Sequence, residues 1–270
     1  MKAIRLMVFL LVTSNFAWAQ ITEGKIVYEQ TVNMHRSLPS PEMKNFVPEF
    51  RTSKYELLFV ENKSLYKEIQ EEEAPDPFSG GGGQRFMFRM GMGQGESYRD
   101  YNLNKLVEKR ALGEKQFIIE DTLNSLAWKL TDETKQIAGY TCRKATAVTK
   151  QTNASRRIIS TVMNGSNPAQ KDTTMPITQK EVTIEAWFTD AIPTPIGPAS
   201  FGKLPGAILA LDIDNGQMVY NAVEISTKIK KADVKEPTKG KKVTKEEFNA
   251  LMKEMMENMQ IPGGMRMRMQ

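Results

Sequence analysis

Between Pro193 and Gly206 the chain places Pro193, Pro195, Pro198 and Pro205 among Gly197, Gly202 and Gly206. Proline fixes φ and lacks a backbone donor, so no helix can pass through this stretch and the chain must run extended or turn. Both flanks have strand chemistry. Ile184 to Thr189, containing Ala186-Trp187-Phe188, precedes it, and the apolar run Ile208 to Ile213 follows it, too short for a buried helix and rich in branched residues. Asn215-Gly216 then offers the positive φ values of a tight type I′ hairpin, and Met218 to Ile225 returns. The proline segment therefore reads as a corner that lets the last hairpin enter a sheet.

The same grammar runs through the rest of the chain. Gly24 to Val32 alternates as a first strand, and Lys54 to Val60 and Lys63 to Ile69 follow, with Asn62 in the turn between them. Further strands are expected at Ser97–Asn102, Lys105–Arg110, Lys115–Glu120, Ala127–Leu130 with Trp128 as a core anchor, Cys142–Lys150 and Val182–Thr189. From about residue 71 to 96 the pattern breaks into acids, Pro75, Pro77 and the run Gly80 to Gly83, a composition that predicts a long flexible loop. Strands at short intervals with no helix between them imply antiparallel pairing. The expected fold is mostly β, an antiparallel, strongly curved sheet or open barrel or sandwich, with a C-terminal amphipathic helix. That helix is signalled by Thr244 as N-cap with Glu247 three residues on, and by Phe248, Leu251, Met252, Met255, Met256 and Met259 on one face, before Pro262-Gly263-Gly264.

At the N-terminus, Lys2 and Arg5 precede the apolar run Leu6 to Val12, and Ala17-Trp18-Ala19 supplies a small-x-small cleavage pattern. Residues 1–19 are expected to be a cleaved signal peptide, residues 20–236 a single β domain, and residues 237–270 a linker, the helix and a Met/Arg-rich tail. The apolar run is shorter than the roughly 20 residues of a spanning helix. The chain is expected to be exported, periplasmic or extracellular, with neither a lipid anchor nor a transmembrane helix after cleavage. Its one cysteine, Cys142, allows no intramolecular disulfide, so stability must come from packing. Loss of Lys2 and Arg5 lowers the formal charge from +5 to +3, and the bases are interleaved with acids, which gives no support to nucleic-acid binding. The local exception, Lys228 to Lys245, reads as a solvated strand end and linker.

Catalytic chemistry finds little footing. The single histidine, His35, lies just before Pro39 and Pro41, without a partner that the sequence identifies. Cys142 sits in an expected strand, where a buried inert thiol is usual. One histidine and one cysteine far apart do not make a zinc shell. Asp212-x-Asp214-Asn215-Gly216 lacks the frame of a calcium loop, and carboxylates such as Asp190, Asp212 and Asp214 have no spacing that singles out a pair. Methionine is distributed more suggestively. Met87, Met90 and Met92 in the expected loop, and Met265, Met267 and Met269 at the terminus, are soft thioethers that suit Cu(I), although methionine is equally an adaptable apolar filler.

The segment Phe201-Gly202-Lys203-Leu204-Pro205-Gly206-Ala207-Ile208 resembles the hallmark of the GLPGLI family, secreted proteins of the Bacteroidota whose function is undefined. Lys203 is inserted before Leu204, and Ala207 stands where the second leucine usually sits. Gly139-Tyr140-Thr141-Cys142-Arg143-Lys144-Ala145 is similar to the family's Gly-Tyr-x-Cys-x-Lys-Ala segment, and the Lys/Glu/Met-rich ending after Val243 is similar to how such proteins end. The motif positions are thus Gly202, Leu204, Pro205, Gly206, Ala207, Ile208, Tyr140 and Cys142. The alternating strands, together with the resemblance of the Gly-Tyr-x-Cys region to periplasmic lipoprotein-carrier folds, suggest a binding or carrier module for a lipid or other hydrophobic ligand, and with no catalytic constellation visible the chain is expected to be a non-enzymatic envelope protein without a cofactor. A Cu(I)-handling protein, or a structural and assembly partner of an outer-membrane protein, is the alternative.

Overall fold

The computed structural model describes residues 20–38, 41–45, 47–69, 95–152 and 179–258. The strands are β1 (Glu23–Asn33), β2 (Phe50–Val60), β3 (Lys63–Glu68), β4 (Gly95–Asp100), β5 (Lys105–Leu112), β6 (Lys115–Thr122), β7 (Lys129–Ile137), β8 (Tyr140–Thr152), β9 (Gln179–Thr189), β10 (Ala207–Ile213), β11 (Met218–Ser226) and β12 (Lys241–Val243). A helix, α1 (Lys245–Asn258), follows β12. All twelve strands join one sheet in the order β12-β6-β5-β4-β3-β2-β1-β11-β10-β9-β8-β7. Its ladders are antiparallel except that of β12 on β6, so the expected mostly β, antiparallel class holds.

The connectivity requires the sheet to curl. In the strand order, β6 and β7 stand ten positions apart, which would be about 48 Å across a flat sheet at ~4.8 Å per strand. Yet only residues 123–128 join them, and a segment of that length spans at most about 24 Å. The two ends of the sheet must therefore approach each other although their ladders do not close. Register shifts at Val27/Tyr28, at Ile208/Ala210 and between Leu130 and Thr134 add the local bending that such curvature needs.

Alternation along the strands sorts the side chains into an inner and an outer face. Tyr28 pairs with Tyr55, Leu57 with Tyr66, and Ile184 with Ile213, all turned to the inner face. Their cluster includes Ile26, Phe59, Ala186, Phe188, Leu211 and Tyr220, and it packs around Ile192, Ile196 and Leu204 from the proline segment. Leu65, Tyr98, Val107 and Ile118 form a second cluster on the outer face. Residues 227–240 cross that face as a strap. Lys231 pairs with Glu23 at the start of β1, Glu236 accepts from Lys105 at the start of β5, and Gly240 lies against Gln116 and Ile118 of β6.

The strap ends in β12, which pairs with β6 through Lys241↔Phe117 and Val243↔Ile119. The chain then turns onto the inner face as α1. Thr244 and Glu247 form the expected reciprocal cap, with Thr244 N–H donating to Glu247 Oε2 at 2.8 Å and Glu247 N–H to Thr244 Oγ1 at 3.1 Å. Phe248 packs edge-to-face on Phe117 at 5.7 Å, and Leu251, Met252 and Met255 cover the third cluster, which includes Leu112 and Ile119.

Several expectations need correction. The segment containing Lys241–Val243, read as linker, contributes a strand because its backbone satisfies the otherwise open edge of β6. The seventh strand begins after Trp128 and runs on to Ile137. Asn215-Gly216 does not close a two-residue turn. Ile213 pairs with Met218 across a four-residue loop in which Asp214, Asn215 and Gly216 all have positive φ. Asp212 Oδ1 accepts the Gly216 N–H at 2.6 Å, and Arg36 donates to the Asp214 and Asn215 carbonyls, which holds that wider loop open. The two-residue turn with both φ values positive occurs instead at Ala138-Gly139, between β7 and β8.

Gly206 lies at φ +155, and a Cβ there would overlap the Thr189 carbonyl. Gly206→Ala is expected to destabilise the protein by about 2–4 kcal/mol. Gly216→Ala, at φ +84 with nothing within 4 Å of the added atom, is expected to cost only about 1 kcal/mol. Urea unfolding midpoints of both variants against the parent check the ranking, and equal midpoints would contradict the packing assigned to Gly206.

Candidate functional site

The proline segment is more than a corner. From Asp190 to Gly206 it enters the curled sheet and fills the interior, with Ile192, Ile196 and Leu204 fully or almost fully buried. Its own backbone is closed by bonds from Lys203 N–H to Pro195 O, Ala207 N–H to Ile192 O and Ile208 N–H to Ile196 O. The sheet ties it down from all sides. Tyr28 donates to Ile208 O at 2.6 Å, Thr194 to Glu61 O at 2.8 Å, Arg99 to Gly197 O at 2.9 Å and Trp128 Nε1 to Gly202 O at 3.0 Å. Lys203 reaches Asn104 Oδ1 and Leu123 O, and so anchors the segment to the two connections that flank β5 and β6.

This arrangement explains the motif residues and their departures. Gly202 is required because a Cβ would stand 2.7 Å from Pro195 O. Leu204 and Ile208 are interior apolar contacts, Pro205 forms the turn before the glycine, and Ala207 is fully buried where it pairs with Thr189. Lys203, the inserted residue, adopts φ +62, and this left-handed step lets its side chain reach out while Gly202 and Leu204 stay in. Tyr140 opens β8 directly after the Ala138-Gly139 turn and packs at the margin of the main core, and Cys142 is completely buried in it. Burial pushes the Cys142 thiol up to about 11. The structure thus brings Gly202 to Ile208 together with Tyr140 and Cys142 as parts of one packed interior.

Beneath the turn formed by Gly197 to Gly202 lies a polar group on the inner face of β3 and β4. Ser64 and Arg99 are Cα partners across the two strands, the Arg99 guanidinium stands 5.9 Å from the Tyr66 ring centroid, and Tyr101 follows Arg99 on the same face. Sequence reasoning missed these residues. The available signal was the alternation Ser97, Arg99, Tyr101, which puts a cation on the same side as the aromatic neighbour of a core strand.

At the other end of the inner face, α1 and β12 border two shallow, open clefts. One of about 360 Å³ is lined by Lys241, Lys242, Val243, Glu247, Ala250, Leu251 and Glu254. The other, of about 290 Å³, is lined by Lys115, Gln116, Phe117, Lys241 and Leu251. They share Lys241 and Leu251 and combine an apolar floor with a charged rim, Lys115, Lys241 and Lys242 beside Glu247 and Glu254.

The remaining candidates have structural partners. His35 Nε2 hydrogen-bonds with Val47 O at 2.7 Å. Asp190 receives Arg143, Asp214 receives Lys180 and Arg36, and Asp212 caps the loop described above. Among the described residues no group of three or more His, Cys, Asp or Glu side chains is gathered as a metal site requires. Met87, Met90, Met92, Met265, Met267 and Met269 lie outside the described residues. Among the described residues no helix is long and apolar enough to cross a membrane.

Residues 128–210 match the model of a family described as "Protein of unknown function (Porph_ging)". The match runs from Trp128 through the filled interior to Ala210, and so contains both motif segments. No curated protein matches the chain. Among solved structures, PNGF-II aligns in two crystal forms with TM-scores of 0.52 and 0.51 at 15% identity, over 86% and 85% of this chain. The chain spans about a third of the length of PNGF-II, 33% and 32% in the two forms, and the likeness is one of fold. LprF from Mycobacterium bovis aligns at a TM-score of only 0.28 and 9% identity, covering 81% of this chain and 90% of LprF.

The buried thiol and phenols make the interior sensitive to alkali. Cys142 rises from an ordinary 9.0 to about 11, and burial with the neighbouring Tyr55 lifts Tyr220 from 10.0 to about 12. A raised folded value stabilises fully below the unfolded value, and that contribution is lost as pH rises toward the folded value. Stability is therefore expected to fall by about 3 kcal/mol between about pH 9 and 11, roughly two-thirds of it through Cys142, and further above that. Cys142→Ala should remove the first part of the decline, which urea midpoints at about pH 8, 10 and 11 would measure.

Proposed function

We propose that the protein is an exported, non-enzymatic binding module of the GLPGLI type that takes up a hydrophobic ligand at the helix-covered end of its sheet. The observation that carries this reading is the division of the inner face. Its larger part is filled by residues 190–206, which leaves α1 and β12 as the place where apolar surface meets open clefts. Phe117, Val243, Ala250 and Leu251 supply the floor, and the rim carries Lys115 and Lys241 as cations for an acidic head, beside Glu247, Glu254 and the Glu120-paired Lys242. Methionines at 252 and 255 adapt to guests of varied shape. Each guest methylene that leaves water contributes about 0.8 kcal/mol, so partial displacement of the helix by a chain of moderate length is energetically accessible.

Native mass spectrometry of the protein after mild extraction is expected to show a retained lipid, and a fluorescent fatty-acid analogue is expected to bind the delipidated protein. Leu251→Trp, which fills the shared wall of both clefts, should weaken that probe by about tenfold, equivalent to ~1.4 kcal/mol. A protein that emerges without adduct and leaves the probe free would defeat the carrier reading. Retained metal or a retained polypeptide would instead support copper handling or envelope assembly.

A further inference from the structure

Arg99 is 3% exposed, Ser64 0% and Tyr66 7%, yet Ser64 Oγ, Arg99 Nη2 and Tyr101 Oη are buried without a hydrogen-bond partner among the described residues, and Tyr66 Oη has at most a loose contact with the Ala199 backbone. The four groups converge. Ser64 and Arg99 face each other across β3 and β4, Arg99 lies over the Tyr66 ring, and its Nη1 donates to Gly197 O. The Tyr101 hydroxyl stands 3.7 Å from the position of a Cβ on Gly202, and the Gly197 nitrogen stands 3.8 Å from that same position. All of them can donate a hydrogen bond, and Arg99 brings a full positive charge. Among the described residues no carboxylate pairs with it. The adjacent Asp100 uses Oδ1 to cap the Asn102 and Leu103 N–H groups, and its Oδ2 lies 4.0 Å from Lys63.

An unpaired buried cation ringed by unused donors is costly, and natural interiors rarely leave such groups unsatisfied. The missing chemistry is an acceptor with negative charge. We propose that Arg99, Ser64, Tyr66 and Tyr101 form a binding site for an oxyanion, a phosphate or carboxylate group, held beneath the Gly197–Gly202 turn. A planar guanidinium with a free edge suits either oxyanion, and the hydroxyls supply further donors around it. Entry requires the turn to lift, which breaks the Arg99–Gly197 bond and loosens the Trp128–Gly202 bond, and leaves the Lys203 anchor in place. The site lies at the filled end of the inner face and does not depend on the helix cleft.

The test titrates the whole protein with sodium phosphate, sodium acetate and sodium octanoate, at an ionic strength held constant with sodium chloride, read by thermal unfolding and calorimetry. At least one oxyanion is expected to raise Tm by about 2–4 °C over the chloride control. A response to phosphate alone, or to the carboxylates alone, identifies which oxyanion belongs there. Arg99→Met is expected to fold and to lose the shift. If it does not fold, Ser64→Ala and Tyr101→Phe decide in its place, each expected to reduce the shift by half or more. No shift in the parent with any of the three anions overturns the proposal, as does an undiminished shift in Arg99→Met or in both substitute variants.

Discussion

The short connection from β6 to β7 governs the rest of the architecture. Because residues 123–128 must join strands at opposite ends of the order, the sheet is drawn into a curl with an inside and an outside. A curled sheet of this width encloses more apolar surface than its own side chains cover, so something must occupy the interior. Here the chain fills it with its own segment. The burial of Ile192, Ile196, Leu204 and Ile208 contributes about 1.5–3 kcal/mol for each side chain. The hydrogen bonds from Arg99 and Trp128 meet the Gly197 and Gly202 carbonyls, which would otherwise be buried without donors in a segment unable to join the ladder, while Thr194 and Tyr28 tie it to the Glu61 carbonyl and to Ile208 at the start of β10.

Curling without closure leaves two edges, and each is managed differently. At β6 the C-terminal segment acts as a clip, with the strap on the outer face, β12 along part of the edge and α1 on the inner face. The ion pairs Lys242–Glu120 and Lys245–Asp121 fix this clip to β6, although at exposed positions each adds little to stability. At β7 the edge is guarded by chemistry. Lys129, Asp132, Glu133 and Lys135 line a strand whose pairing is interrupted between Leu130 and Thr134, which discourages another chain from adding in register.

Local pattern made much of the sheet legible, because β1 alternates, β10 is a short apolar run rich in branched residues, and β3, β5, β6 and β11 are short segments bounded by turn residues. The helix was equally legible, since Thr244 and Glu247 announce its start and Phe248 and Leu251 its face. Other features depended on partners far away in sequence. Lys241–Val243 has no strand chemistry of its own and is extended only because β6 offers an open edge. The charged stretch from Lys129 to Ile137 looks like a loop because an edge strand exposed on both faces has no reason to alternate. The exchange of hairpin types had a similar origin: Asn215-Gly216 would suit a tight turn, but Asp212 and Arg36 stabilise a longer loop. Arg99 stayed invisible because its meaning arises only when the proline segment is laid over it.

The same reasoning changes what a shared motif means. Gly202 and Gly206 are glycines because carbonyls of Pro195 and Thr189 stand where side chains would begin, and Leu204 and Ile208 are apolar because they face the curled interior. Each requirement comes from filling the fold, and none of these residues borders the clefts beside α1. A chain can therefore keep the whole 128–210 pattern while altering the helix, the lysine rim or the residues beneath the turn. Conversely, the positions that differ from the motif here are informative about packing before they are about binding: Lys203 replaces tight interior contact with an anchor on Asn104 and Leu123. Resemblance across this segment thus identifies a way of filling a curled sheet with its own chain. The side chains that this packing leaves without a structural role are those of the α1 cleft and the donors around Arg99 that lack partners among the described residues, and both proposed sites draw on them.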